Sequence, residues 1–185
     1  TLPGVSSANE LSSQYSVRGG NFDENMVYVN GIEVYRPFLV HSGQQEGLSF
    51  VNSNMVDNIL FSAGGFETKY GDKMSSVLDI TYKNPTKNKA STQISLLGSS
   101  AHFEGITSNN KFSYLFGYRN KSNQYLLNAM DTKAEYKPNF SDIQTYLKYQ
   151  LRDNWTISFL GNVSQNKYQM IPENRDTEFG TLNEA

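Results

Sequence analysis

Cysteine is absent from the 185 residues, which excludes a disulfide frame, a thiolate metal site and a cysteine nucleophile. Histidine is scarce. His41 and His102 are the only two, and neither has a carboxylate at helical ligand spacing, whereas zinc needs three or four converging ligands. No apolar run approaches the ~18 residues of a membrane-spanning helix, and the mean hydropathy is −0.56. Charge of one sign is lacking too. The 16 basic and 18 acidic residues are intermixed and leave a net charge of −2, so there is no basic field for nucleic acid. Thr1-Leu2-Pro3-Gly4-Val5 has neither the charged region nor the apolar core of a signal peptide.

Signatures of catalysis are missing as well. Asp23-Glu24 stands before an apolar run, where adjacent carboxylates make a solvated turn. Gly64-Gly65-x5-Gly71 lacks the following Lys-Ser/Thr of a phosphate loop, and no Ser, His and Asp combination has a local signature. Asn139, Asn154 and Asn162 begin N-x-S/T triplets, a number that chance supplies in an Asn- and Ser-rich chain. The expectation is a protein that is not an enzyme and holds no cofactor or metal.

What is abundant is aromatic: 12 Tyr and 11 Phe, which favours β-structure and the girdles of membrane barrels. The organising stretch runs from Ile59 to Lys83. Two apolar runs, Ile59–Phe61 and Val77–Ile80, flank a turn punctuated by Gly64-Gly65-Phe66 and Tyr70-Gly71. Paired glycines suit a tight corner between strands. Upstream, Val27–Val29 and Ile32–Tyr35 flank Asn30-Gly31, the strongest short hairpin signal. Residues 1–16 read as a loop. Asn52-Ser53-Asn54 predicts a cap on a short helical turn reaching Asp57. The polar run Asn84–Lys89, with Pro85, is the clearest domain boundary.

Beyond residue 90 the period changes to two. Phe112, Tyr114, Phe116 and Tyr118 alternate with Ser113, Leu115, Gly117 and Arg119. Ile143, Thr145, Leu147, Tyr149 and Leu151 alternate with a polar row, as do Trp155, Ile157, Phe159, Gly161 and Val163. Five antiparallel strands are predicted over 91–98, 101–107, 111–121, 141–151 and 155–167. They are joined by short turns at 108–111 and 152–154 and a longer loop over 120–140. Residues 171–185 read as the start of another loop. An apolar row opposite a polar one over about ten residues marks the wall of a transmembrane β-barrel. A soluble β-sandwich, an adhesin or glycan-binding module, carries the same alternation. Five strands cannot close a barrel, and open edges are not tolerated in lipid, so a longer protein is expected.

Three ordered motifs go further: Ser16-Val17-Arg18-Gly19-Gly20, then Val27-Tyr28-Val29-Asn30-Gly31-Ile32-Glu33-Val34-Tyr35, then Gly64-Gly65-Phe66, Tyr70-Gly71 and Val77-Leu78-Asp79-Ile80. Together they resemble the plug domain of TonB-dependent outer-membrane transporters, of the kind found in the Bacteroidetes. The resemblance implies an α+β plug (a mixed sheet with a short helix) over residues 1–84, a linker at 85–89, and the first antiparallel strands of a barrel over 90–185. The whole barrel would have roughly 22 strands. Because Leu-Pro-Gly-Val occurs inside the family's plug, the sequence is expected to begin part-way through one.

The resemblance also implies the outer membrane of a Gram-negative bacterium. The implied partners are TonB (through a TonB box outside this sequence), the remaining barrel, lipid, a small-molecule, glycan or peptide substrate, and in some members a surface lipoprotein. In the family the arginine of the first motif, here Arg18, pairs with barrel glutamates, which would lie beyond Ala185. The alternative for Arg18 is hydrogen bonding to plug carbonyls. A second family arginine, before the glycine of the third motif, is replaced by Ser62-Ala63, which implies a weaker latch. Arg36, Phe38, His41 and Gln44, after the hairpin, offer a cation, a ring and hydrogen-bonding groups suited to a polar organic ligand. Phe66–Lys69 reads as a structural corner.

Overall fold

A computed structural model describes residues 5–7, 15–20, 24–35, 41–42, 45–46, 49–71, 75–122, 134–177 and 180–184. Strands β1 (Val5–Ser7) and β2 (Tyr15–Val17) pair antiparallel, within a stretch whose sequence reads as loop. Three residues are too few for period two to register. Strands β3 (Asn25–Val29) and β4 (Ile32–Glu33) form the hairpin signalled by Asn30-Gly31. Both turn residues have positive φ, 50° and 77°, as a type I′ turn requires. The Asn30 side chain also accepts a hydrogen bond from Tyr82 N at 2.9 Å, tying the turn to a distant strand. Two further short strands, β5 (His41–Ser42) and β6 (Gln45–Glu46), pair with each other.

The short helix expected at Asn52 is one turn of 3-10 helix, Ser53–Met55. The Asn52 side chain caps it by accepting from Asn54 N at 3.1 Å. The cap is where the sequence places it, but the turn stops at Met55 because strand β7 (Val56–Ser62) begins there. β7 and β8 (Ser76–Tyr82) run antiparallel on either side of the glycine corner, while β3 and β8 are parallel. The resulting four-stranded order, β4-β3-β8-β7, is a mixed sheet.

After residues 83–88 come β9 (Lys89–Ser95), β10 (Gly98–Ile106), β11 (Phe112–Ser122), β12 (Ala134–Arg152), β13 (Trp155–Thr177) and β14 (Gly180–Glu184). They form one antiparallel meander. The sequence predicts five strands here; the sheet has six. β12 and β13 also run well past their expected ends. Residues 134–140 and 168–177 read as loop because they are polar and include Pro138 and Pro172, yet the ladder continues through both prolines. No described helix is long and apolar enough to cross a membrane, which says nothing of strands.

The register sorts the side chains of this wall. Cross-strand partners Glu104, Leu115, Tyr146 and Leu160 form one row across the inner face; His102, Gly117, Gln144 and Asn162 form the next, and Ser100, Arg119, Asp142 and Ser164 a third. Leu115, Gln144, Asp142 and His102 in these rows are buried. Their outward neighbours Phe103, Phe116, Tyr118 and Ile143 are exposed, as are Ile157 and Phe159 further along. Phe112, Tyr114 and Phe116 stack successively along β11. A one-residue slip would exchange the two faces; the observed register is the one that the alternation predicts.

Candidate functional site

The mixed sheet and the wall share a core. Val27, Val29, Ile80 and Tyr82 from β3 and β8 pack with Met55 against Leu115 of the wall, and Phe50, Val51, Tyr146 and Leu160 close around them. Residues 49–55 lie between sheet and wall like a strap. Gly117 makes this approach possible. A Cβ there would lie 2.2 Å from Asn52 Nδ2, so that Asn52 would have to shift, and a tight 3.2 Å from Met55 Sδ. Tyr82 crosses the boundary, donating from its hydroxyl to Gln144 Oε1 at 2.8 Å and meeting Tyr146 edge to face. Burial pushes the Tyr82 phenol up to about 12.

Charged groups fasten the strap. Arg119 and Asp142 are direct cross-strand partners. Arg119 donates from Nε to Asp142 Oδ1 at 2.8 Å and from Nη2 to Oδ2, a fork-to-carboxylate pair. The same guanidinium donates from Nη1 to Val51 O and from Nη2 to Ser49 O, each at 2.8 Å. Gln144 Nε2 donates to Phe50 O at 3.0 Å, and Asn162 Nδ2 to Asp142 Oδ2 at 3.2 Å. The Asp142 side chain is fully buried. An unpaired charge there would be costly, and the fork supplies its partner.

A second cluster holds the chain as it leaves the sheet. Glu104, buried on β10, lies 3.3 Å from Lys89 Nζ and 3.9 Å from Lys83 Nζ, with His102 Nε2 at 3.7 Å. Lys83 Nζ also donates to Asn54 O at 2.7 Å, and Lys148 Nζ to Asn84 Oδ1 at 3.2 Å. Among the described residues no three metal-ligating side chains converge.

The residues singled out from the sequence fall into three groups. Asn30, Gly31, Gly64, Gly65, Tyr70 and Gly71 lie in the turns and corner of the mixed sheet, and Gly19 and Gly20 directly after β2. Gly20 N donates to Val17 O at 2.9 Å, and a Cβ on Gly20 would meet Ser75 Oγ at 1.9 Å. Tyr70 donates to Asp79 across the corner at 2.5 Å and stacks on Tyr28. Arg18 is exposed with φ 52°, its guanidinium against Gly64. Among the described residues no carboxylate lies within ion-pair distance of it. Arg36, Phe38 and Gln44 lie outside the described residues; His41 contributes its backbone to β5. Arg119, Asp142 and Gln144 are not singled out by the sequence, and Asn52 is read there only as a cap. Arg119 and Asp142 belong to the polar inner rows like their neighbours, and only the strand register sets them opposite each other.

A mixed sheet strapped to the inner face of an antiparallel wall, with an apolar outer face, is the architecture of a barrel and its plug. Residues 1–77 match the family model described as the TonB-dependent receptor plug domain. Residues 1–77 are thus similar to the plug domain of TonB-dependent receptors, and the strands that follow are of barrel type. The fold of the chain is shared with the siderophore receptor PirA from Pseudomonas aeruginosa, at 20% identity and TM-score 0.60 over 98% of this chain. A second structure with the same fold is the ferric enterobactin receptor PfeA, as its G324V mutant, from Pseudomonas aeruginosa, at 18% identity and TM-score 0.58 over 90% of this chain. The chain spans 34% and 29% of the lengths of those two proteins. No curated protein matches it. The sandwich alternative is not favoured.

Proposed function

We propose that the chain is the gate of an energy-coupled importer: the plug closes the lumen, and a TonB complex displaces it to admit substrate. The observation that carries this is the plug match over residues 1–77, on a sheet fastened to the inner face of a wall whose outer face is apolar. The plug is taken as residues 1–84, the linker as 85–89 and the barrel as 90–185, in the outer membrane of a Gram-negative bacterium. The likeness to the Bacteroidetes kind rests on the sequence motifs. No catalytic step is assigned.

Substrate is placed at Arg36, Phe38, His41 and Gln44, beyond the β3–β4 hairpin, and the named receptors make an iron chelate the first class to test. Arg18 is assigned a glutamate of the barrel beyond Ala185. Uptake of a labelled ferric chelate by cells carrying the complete protein tests this reading. Uptake is expected to need TonB and to fall at least about tenfold when Arg36 and His41 are both replaced by Ala, with outer-membrane levels unchanged. TonB-independent uptake, or a complete protein that purifies without detergent, would overturn the reading. Unchanged uptake in the double variant would remove only the 36–48 loop from the site.

A further inference from the structure

We propose that Arg119, oriented by Asp142, is the wall-side catch of the plug, and that residues 83–89 are its hinge. The inference rests on the gate reading above and concerns how the gate is held. Two clusters fasten plug to wall, and they differ in position and in kind. The Glu104, Lys83, Lys89 and Lys148 contacts cluster where the chain passes from β8 into β9. Plug and wall are covalently joined there, so this end stays attached when the plug moves. Arg119 lies four residues further along β11 than Leu115, the cross-strand partner of Glu104, about 13 Å at the rise of a strand. At that level the described polar contacts to the strap are hydrogen bonds to its carbonyls, beside the apolar packing of Phe50 and Val51.

The catch has an unusual division of parts. Both charged groups belong to the wall, while the plug offers only the carbonyl oxygens of Ser49 and Val51. Four donor bonds from one guanidinium are accounted for, two inward to Asp142 and two across to the strap. When the strap leaves, the ion pair remains intact within the wall, so no lone buried charge is created. The plug can then depart and return without separating opposite charges, at the loss of two charge-assisted bonds. A latch that split an ion pair between plug and wall would hold harder and reseat less freely.

The assignment makes a residue-specific distinction. Lysine at 119 keeps the charge opposite Asp142 but lacks the planar fork that reaches both carbonyls. The complete transporter is reconstituted in planar lipid bilayers, and its opening frequency is recorded as urea loosens the plug. Barrel folding is followed separately by heat-shifted gel migration. Arg119→Lys and Arg119→Gln should both raise the opening frequency at least about tenfold while barrel migration is unchanged. Arg152→Gln, at the exposed β12–β13 turn, should match the wild type. Openings at the wild-type frequency in Arg119→Lys would overturn the catch, because charge alone would then suffice. A parallel loss of barrel folding in both Arg119 variants would also overturn it, as the residue would be holding the wall together. If the wild-type protein never conducts under any urea concentration, the gate reading fails, and the catch with it.

Discussion

The notch at Gly117 gives the most quantitative test of how plug and wall fit. In Gly117→Ala the added Cβ would lie 2.2 Å from Asn52 Nδ2 and 3.2 Å from Met55 Sδ. The wall ladder on both sides of Gly117 fixes its backbone, so Asn52 has to yield. Asn52 is fully buried, and its Oδ1 caps the turn at Ser53–Met55. Overpacking of this kind costs about 1–3 kcal/mol, and loss of the cap adds about 0.5–2 kcal/mol. The two together predict about 1.5–5 kcal/mol. The assay is urea unfolding of the plug in the complete protein, read by protease access to residues 49–55, with barrel unfolding followed in parallel. Asn52→Ala alone should cost about 1 kcal/mol, from the cap. Combined with Gly117→Ala it should recover much of the loss, because the clash partner is gone. Strictly additive costs in that cycle would refute the notch, as would a Gly117→Ala protein as stable as the wild type.

Two further predictions concern the wall and the boundary. Phe116, exposed on the outer face and midway between the turn at 107–111 and Ser122, should cost about 2–4 kcal/mol when changed to Arg. Ser158→Arg on the inner face should stay within about 0.5 kcal/mol; urea titration of vesicle-refolded protein compares them, and equal costs would contradict the register. Tyr82→Phe should destabilise the plug by about 1–3 kcal/mol at neutral pH, because Gln144 Oε1 loses its buried donor. The Tyr82 phenol titrates near 10 when unfolded and near 12 when folded. Its contribution is therefore fully present below pH 10 and is lost as pH rises to about 12. The stability difference between wild type and Tyr82→Phe should shrink across that window, and a constant difference would show that burial of the phenol is not the cause.

Much of the fold can be read from the residues because two local signals are unambiguous. Asn30-Gly31 leaves one turn type for the hairpin, and alternation over ten residues leaves one register for a wall with a single buried face. The signals fade where their physical cause fades. Past residue 164 the wall no longer has an apolar row, so period two vanishes although the ladder continues to Thr177. The turn after Asn52 carries a true cap but Val56-Asp57-Asn58 goes on as strand, since pairing with β8 outweighs a three-residue helical tendency. Arg119 and Asp142 are invisible singly. Each looks like any polar residue of the inner face, and their pairing depends on a register between strands separated in the sequence by 11 residues, 123–133.

That dependence bears on how such a plug is held. The groups that bind it are supplied by the wall: Arg119 and Gln144 both donate to strap carbonyls, and Gly117 accommodates Asn52 by having no side chain. At the strap the plug contributes backbone carbonyls and shape, whereas Tyr82 and Lys83 meet the wall elsewhere with their side chains. Carbonyls are present whatever the sequence of the strap, so substitutions in residues 49–51 leave the catch intact as long as the backbone path is kept. Substitutions in the wall do not share that tolerance, since Arg119 has to hold Asp142 and two carbonyls at once. Variation in how tightly the gate is held is therefore expected to reside in β11 and β12 rather than in the strap that they grip.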